Sequence, residues 1–332
     1  MIKVSIIIPT YQRCNSLKRA LNALNSQSFP FDEFEVIVSI DGSQDGSKEF
    51  VKQFKSKYNL EYIWEPNEGR AFACNRGIRR AKGEVLIIID DDMEPGFEFV
   101  NAHFKVHQSN AMLAVMGAAP IPLDKDSSIA AHYIASEFNS RLNKISSPDY
   151  KFQIRDFYGG NLSIRLENIL KIGGFDESFK GYAHEDIELA YRLIKLGVTF
   201  VYDKDAYCTQ HYEDNFRNLL KKTISAGKSA VLLYRMHPDS FEENELAIYN
   251  SNGWKWRSLR LFLIWISILI PITTDIIASF VVHFGKSYSR TKAKLCYLAM
   301  DYSLWLGVWL ALRKDTKRRQ IISKIKLSRE NE

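Results

Sequence analysis

The chain has 332 residues, enough for one large domain or two modest ones, and its 46% hydrophobic and 25% charged content excludes a disordered or fibrous protein. The formal net charge of +6 is unevenly placed: residues 1–250 carry 30 Lys/Arg against 34 Asp/Glu, whereas residues 251–332 carry 15 against 5 and hold five of the six tryptophans. A slightly acidic body with a basic, aromatic tail disfavours a nucleic-acid binder. The four cysteines, Cys14, Cys74, Cys208 and Cys296, form no CxxC pair and read as free thiols in a reducing compartment. The N-terminus opens directly into Val4-Ser5-Ile6-Ile7-Ile8 with no basic and apolar leader, so no signal peptide is expected and the body is placed in the cytoplasm.

In chain order, Val4–Ile8 is a β-branched run suited to a buried parallel strand. Asn15–Ser26 reads as a helix with Leu17, Ala20, Leu21 and Leu24 on one face. Glu35–Ile40 is a second strand, stopped by Asp41-Gly42-Ser43 and followed by a helix through Phe54. Leu60–Trp64 and Val85–Ile89 are further strands around a helix at Ala71–Ala81. Leu113–Ala118 reads as a strand, Ser127–Leu142 as a helix and Ser146–Asp156 as a loop. Gly159-Gly160-Asn161 opens into a short strand at Leu162–Ile164, a helical turn covers Asn168–Ile172, Ile187–Leu196 is a helix and Thr199–Tyr202 a strand. Strands alternating with helices predict an α/β fold, a mostly parallel sheet with helices on both faces. Such sheets bind ligands beyond the carboxyl ends of their strands, where Pro9, Asp41 and Asp90 all fall.

Asp90-Asp91-Asp92 is costly at a strand end unless a cation offsets it, because neighbouring carboxylates raise one another's pKa. Hard oxygen ligands suit Mg²⁺ or Mn²⁺, whose shells are commonly completed by substrate phosphates. A second acidic pair, Glu185-Asp186, opens a helix, where the helix dipole alone already favours a carboxylate.

Four ordered stretches carry a family resemblance: Val4–Tyr11, Ser39–Ser47, Asn67–Gly77 and Gly83–Asp92. Residues 1–100 resemble family 2 glycosyltransferases of the GT-A (Rossmann-like) fold. Gly173–Phe179 followed by Tyr182–Leu189 is similar to the acceptor-side motif of that family and to a galactosyltransferase-like C-terminal region. The resemblance implies a nucleotide site built from Pro9, Tyr11, Asp41, Asn67, Gly69, Arg70, Asp90 and Asp91. It implies metal ligation (Mn²⁺ or Mg²⁺) by Asp92 and His211, and sugar or acceptor contacts from Gly160 and Asn161. It also implies Asp186 as the catalytic base, with Glu185 beside it as a substrate contact or alternative base. Sugar transfer independently requires a group to take the acceptor proton and a charge to stabilise the departing diphosphate, so two separate carboxylate clusters fit the chemistry. One departure is Cys74, where the family commonly carries an arginine near the donor phosphates; Arg70 or Arg76 is the substitute.

The tail contains two apolar segments. Leu261–Val282 gains about 4–8 kcal/mol on membrane insertion against about 3 for Asp275, and Pro271 would kink it. Leu295–Leu312 is interrupted by Asp301 and carries Leu298, Tyr302, Trp305, Trp309 and Leu312 at helical spacing. Lys255, Arg257 and Arg260, then Lys286, Arg290, Lys292 and Lys294, then the basic residues from Arg313 to Arg319 flank both segments, so no alternation of charge sets a topology. Interfacial or re-entrant attachment to the cytoplasmic face of a membrane through residues 254–319 is expected, against a spanning hairpin or a helical subdomain packed on the body.

The sequence thus reads as a catalytic domain over 1–250, with its nucleotide half at 1–100 and acceptor half at 101–250, and a helical tail over 251–332. The expected activity is metal-dependent, inverting transfer from a nucleotide sugar, a UDP-sugar foremost, to a glycan or lipid-linked hydroxyl in surface polysaccharide or glycolipid synthesis. The alternative is a catalytically inactive nucleotide-sugar-binding scaffold on the same fold, which the intact acidic residues argue against. A dinucleotide oxidoreductase is excluded by the absence of GxGxxG after the first strand.

Overall fold

The computed structural model describes residues 1–147, 149–284, 288–313 and 315–327; Lys286 and Lys314, counted above among the basic flanks, lie outside them. Two compact units are present, one of Met1–Pro122, Ala135–Lys180 and Glu185–Tyr212, the other of Leu123–Ile134, Gly181–His184 and Glu213–Glu332.

The first unit carries β1 (Val4–Thr10), α1 (Cys14–Leu24), β2 (Phe34–Asp41), α2 (Ser47–Gln53), β3 (Asn59–Glu65), α3 (Arg70–Ile78), β4 (Val85–Ile89), β5 (Met93–Pro95), α4 (Phe99–Ser109) and β6 (Leu113–Gly117). After α5 (Ile129–Ile145), which begins in the second unit, come β7 (Asn161–Arg165), α6 (Leu166–Lys171), α7 (Glu185–Lys195), β8 (Thr199–Asp203) and β9 (Cys208–Gln210). Seven strands form one sheet in the order β3-β2-β1-β4-β7-β6-β8. β1 to β4 run parallel, β7 is antiparallel to both β4 and β6, and β8 pairs with β6 in parallel. The continuous apolar runs follow from this: Ile6, Ile7, Ile8, Ile87 and Ile88 lie in central strands and are fully buried. Leu17, Ala20, Leu21 and Leu24 are the buried face of α1, as their spacing predicts.

Parallel strands end on one side, so Thr10, Asp41 and the Asp90 turn share a rim. Reversal of β7 brings its first residue, Asn161, opposite Ile89 and onto the same rim. Two features of this unit lie outside the expected pattern. α4 is a helix with His103 and His107 buried in it, and β5 pairs antiparallel with β9 in a separate two-stranded ribbon beside the rim.

The second unit contains α8 (Phe216–Met236), α9 (Trp254–Leu269), α10 (Thr273–His283), α11 (Arg290–Leu312) and α12 (Arg318–Leu327). α8 and α11 touch backbone to backbone: a Cβ on Gly307 would lie 2.0 Å from the Ile224 carbonyl oxygen, and one on Gly227 would lie 2.0 Å from that of Leu304. The two apolar segments of the tail have different fates. The second forms α11, whose Tyr302, Trp305 and Leu312 pack into the unit's core with Phe241, Leu246 and Ile264. Its Asp301 accepts a hydrogen bond from Arg260 Nη1 at 3.1 Å, and the fully buried guanidinium lies 4.5 Å from the Tyr249 ring and 4.9 Å from that of Trp305. The first segment does not form one kinked helix; it breaks at Pro271 into α9 and α10. Among the described residues α11 is the helix long and apolar enough to cross a membrane, and half of that stretch is buried.

Gly307→Ala is expected to lower stability by about 1–3 kcal/mol, because the added methyl meets backbone rather than a side chain that can turn away. Chemical denaturation of the two chains checks it.

Candidate active site

Asp41, at the end of β2, is buried and saturated. Its oxygens accept the backbone N–H groups of Glu68 and Gly69 at 2.9 Å each, the Asn67 amide at 2.9 Å and Arg76 Nη1 at 3.1 Å. Gly69 adopts φ +106°, a left-handed conformation that presents its N–H to this carboxylate. Asn67 and Gly69 therefore hold the Asp41 carboxylate in place. Pro9 pairs with Ser39 within the sheet, and Tyr11, just beyond β1, projects into solvent.

The Asp90 turn splits into two environments. Asp91 and Asp92 are buried. Asp91 Oδ2 accepts from Thr10 Oγ1 at 2.7 Å, and Arg13 Nη1 bridges Asp91 Oδ1 at 3.4 Å and Asp92 Oδ2 at 3.1 Å. Burial pushes the Asp91 carboxyl up to about 7, Arg13 pulls it back and Asp92 adds to the rise. Burial and Asp90 likewise raise Asp92, with Arg13 opposing. Asp91, assigned to the nucleotide, is instead spent on Thr10 and Arg13 within the protein. Arg13 was not singled out in the sequence; the signal was a lone cation three residues beyond the end of a buried strand.

Asp92 Oδ1 is buried and has no hydrogen-bond partner, an oxygen whose cost a cation would remove. The β5–β9 ribbon sets His211 beside it, with the His211 N–H donating to the Asp92 carbonyl at 2.9 Å. The imidazole, however, turns away: Nε2 lies 2.6 Å from Glu94 Oε2. Among the described residues no three His, Cys, Asp or Glu side chains are grouped to hold a metal ion.

Asp90 faces the other way. Its carboxylate receives Arg70 Nε at 3.0 Å and Nη2 at 2.9 Å; the same guanidinium donates to the Gly159 carbonyl at 2.9 Å and lies 3.5 Å from Glu185 Oε1. Asp186 Oδ2 accepts the Gly159 N–H at 3.1 Å and its Oδ1 the Ile187 N–H at 2.8 Å. Arg70 and Gly159 thereby join the two acidic clusters. A Cβ at Gly160 would stand 2.8 Å from Asp90 Oδ2 and 3.0 Å from Met93 Cε, so a larger residue there would have to displace these side chains. Of the two arginines offered as substitutes at Cys74, Arg76 is committed to Asp41, Glu65 and Glu68, and Arg70 stands among the rim carboxylates.

Asn161, assigned to the sugar or acceptor, is fully buried. Its amide donates to the carbonyls of Ala118 at 3.1 Å and Ala206 at 2.9 Å, and its Oδ1 meets His103 Nε2 at 2.9 Å. Ser163 Oγ joins His103 Nδ1 at 2.8 Å to His107 Nε2 at 2.9 Å, and burial lowers these imidazoles to about 3 and about 4. Asn161 thus belongs to a neutral polar brace beneath the rim, because β7 turns its side chain inward.

Asp186 is partly accessible, whereas Glu185 is buried and its Oε2 has no hydrogen-bond partner. Burial first and Asp186 second raise Glu185 from 4.5 to about 7, against Arg70. The accessible Asp186 can meet an incoming hydroxyl, and Glu185 backs it.

Residues 5–173 match the family described as glycosyl transferase family 2, and residues 139–213 match one described as the N-terminal domain of galactosyltransferase. Validoxylamine A glucosyltransferase of Streptomyces hygroscopicus subsp. jinggangensis is 26% identical over 276 residues, covering 74% of this chain and 64% of its own length. Chondroitin synthase of Escherichia coli is 28% identical over 229 residues, covering 59% of this chain and 33% of its own. The chain therefore spans less than two-thirds of the length of these relatives. In structure it is similar to a mannosyltransferase, PcManGT from Pyrobaculum calidifontis, solved with GDP-Man and Mn²⁺, at a TM-score of 0.60 and 17% identity over 94% of this chain and 88% of that one. It is also similar to S. aureus TarS 1-349 in complex with UDP-GlcNAc, at 0.52 and 15% over 96% and 92%. These likenesses establish the GT-A fold.

A carboxyl with a higher pKa folded than unfolded binds more protons in the folded state, so its contribution to stability is present at low pH and lost as pH rises from 4.5 toward about 7. Glu185→Gln removes that loss. The variant should be more stable than the parent above pH 7, by on the order of 1–3 kcal/mol, and the two should converge below pH 4.5, as read by thermal melts across pH.

Proposed function

The chain belongs to glycosyl transferase family 2, and we propose that it moves a sugar from a nucleotide diphosphate sugar, a UDP-sugar foremost, to a hydroxyl of a glycan or lipid-linked acceptor. The observation that carries this reading is the rim on which Arg70 and Gly159 join Asp90 to Glu185-Asp186. One cluster is suited to the donor's phosphates and ribose, the other to the acceptor's proton. Pro9, Tyr11 and the Asp41 loop frame the nucleotide base. Asp90 lies nearest the ribose, and Arg70, once drawn from Asp90, offers its guanidinium to the diphosphate.

In the transfer, the acceptor oxygen attacks the anomeric carbon as the bond from that carbon to the diphosphate oxygen breaks, inverting the configuration in one displacement. Asp186 takes the hydroxyl proton, and its carboxylate is held for this by the Gly159 and Ile187 N–H groups. The unpartnered Asp92 Oδ1 fits Mn²⁺ or Mg²⁺, with His211 as the neighbouring ligand candidate once released from Glu94. Such a cation supplies charge that offsets the departing diphosphate. The ligands bound to the structural neighbours, GDP-Man with Mn²⁺ and UDP-GlcNAc, support the donor class. Residues 1–250 form the catalytic part in this reading, and the tail works at the cytoplasmic surface of a membrane in surface glycan synthesis.

Asp186→Asn and Asp92→Ala should each lower transfer by at least about 10²-fold while leaving the melting temperature within a few degrees. A thermal-shift screen of UDP-, GDP- and dTDP-sugars with Mn²⁺ identifies the donor, since a ligand of the native state raises its melting temperature. Full transfer by either variant would remove the role given to that residue.

A further inference from the structure

α9 and α10 present an apolar face that the rest of their unit does not cover. Leu261, Trp265, Leu269, Ile272, Ile276 and Phe280 recur at helical spacing across the Pro271 break, and Trp265, Leu269 and Ile272 are 57%, 62% and 60% exposed. No charged residue occurs from Leu261 to Thr274. The helices are short: 16 residues of α9 rise about 24 Å and 11 of α10 about 16 Å, against the roughly 30 Å of a bilayer's hydrocarbon core. Neither can span.

The side-chain hydroxyls of Ser267, Thr273 and Thr274 are paired within the unit. Ser267 Oγ lies 2.6 Å and Thr274 Oγ1 3.0 Å from the Tyr302 hydroxyl of α11. At the break, Pro271 has no N–H, and the Ile270 carbonyl accepts both the Thr273 N–H at 3.0 Å and Thr273 Oγ1 at 2.6 Å. Asp275, the first charge beyond the break, is part-exposed and lies 3.0 Å from Arg217 Nε of α8, which offsets its charge. A protein partner would tolerate open donors and acceptors here, since it can supply their complements. Hydrocarbon cannot, and a backbone break is allowed at membrane depth only when its polar groups are satisfied internally. Exposed Lys255 beside Trp254 at the start of α9, and exposed Arg290 and Lys294 at the start of α11, stand at the ends remote in sequence from the break and match anionic headgroups.

We propose that α9 and α10 form a helix-break-helix wedge that enters one leaflet of an anionic membrane, Leu269 to Ile272 deepest, while α11 stays within the protein. This sharpens the membrane part of the function proposed above and does not depend on sugar transfer. The full chain, transferred from detergent to vesicles of phosphatidylcholine with phosphatidylglycerol, should float with them, and less so with phosphatidylcholine alone. Leu269→Glu should weaken vesicle partitioning by more than about tenfold, the scale of one charge moved into an apolar layer, and Trp265→Glu combined with Ile272→Glu should abolish flotation. Circular dichroism melts matching the parent show that these variants still fold, whatever becomes of the donor reading. A cysteine at Ile270→Cys should resist a membrane-impermeant maleimide from either side once vesicles are bound. Flotation unchanged by the glutamates, or labelling from the lumenal side, would overturn the wedge. So would a discrete detergent-free dimer that ignores vesicles, which would give the face to a second copy.

Discussion

Arg70 answers the main electrostatic problem of the catalytic unit. Asp90 and Glu185 come from distant stretches of the chain, and their negative charges repel. One guanidinium, backed by the Phe175 ring at 5.7 Å, engages both and also the Gly159 carbonyl. The same strand end that supplies this carbonyl supplies the N–H that orients Asp186. The distance between the two acidic clusters is therefore set by one side chain and one reversed strand. Arg13 does the parallel work for Asp91 and Asp92, leaving one oxygen of Asp92 open. Fixed cations keep the acidic rim compact.

The second unit uses a similar device for a different end. Arg260, without exposed surface, lies between Tyr249 and Trp305 and pairs with Asp301. An ion pair of this kind is costly to build and more costly to break, because the surviving charge would be buried alone. It fixes α9 against α11, and the close crossing of α8 and α11 at Gly227 and Gly307 fixes the other side. The described part of the tail is thus helical, with its buried Arg260 neutralised and its exposed apolar surface concentrated on α9 and α10.

Much of the fold was legible because its signals are local. Val4–Ile8 and Val85–Ile89 are apolar without alternation, and the residues that end such strands fall on one rim whatever the loops do. α4, α8 and the β5–β9 ribbon lie outside the pattern expected from sequence. β5 and β9 are three-residue strands that exist only through pairing across more than a hundred residues. The two apolar segments of the tail look alike in composition. Only packing separates them, burying the aromatic stripe of one and exposing that of the other.

Residue order, periodicity and charge count suffice for the layered α/β fold, the family, the acidic stretches at strand and helix ends and the placing of +6 in the tail. Tertiary structure decided where side chains point and what they meet. It spent Asn161 on His103 and two carbonyls, turned His211 toward Glu94, gave Arg76 to Asp41 and Arg70 to Asp90 and Glu185. Those outcomes depend on strand register and helix rotation, through which residues far apart in the chain compete for the same polar partner.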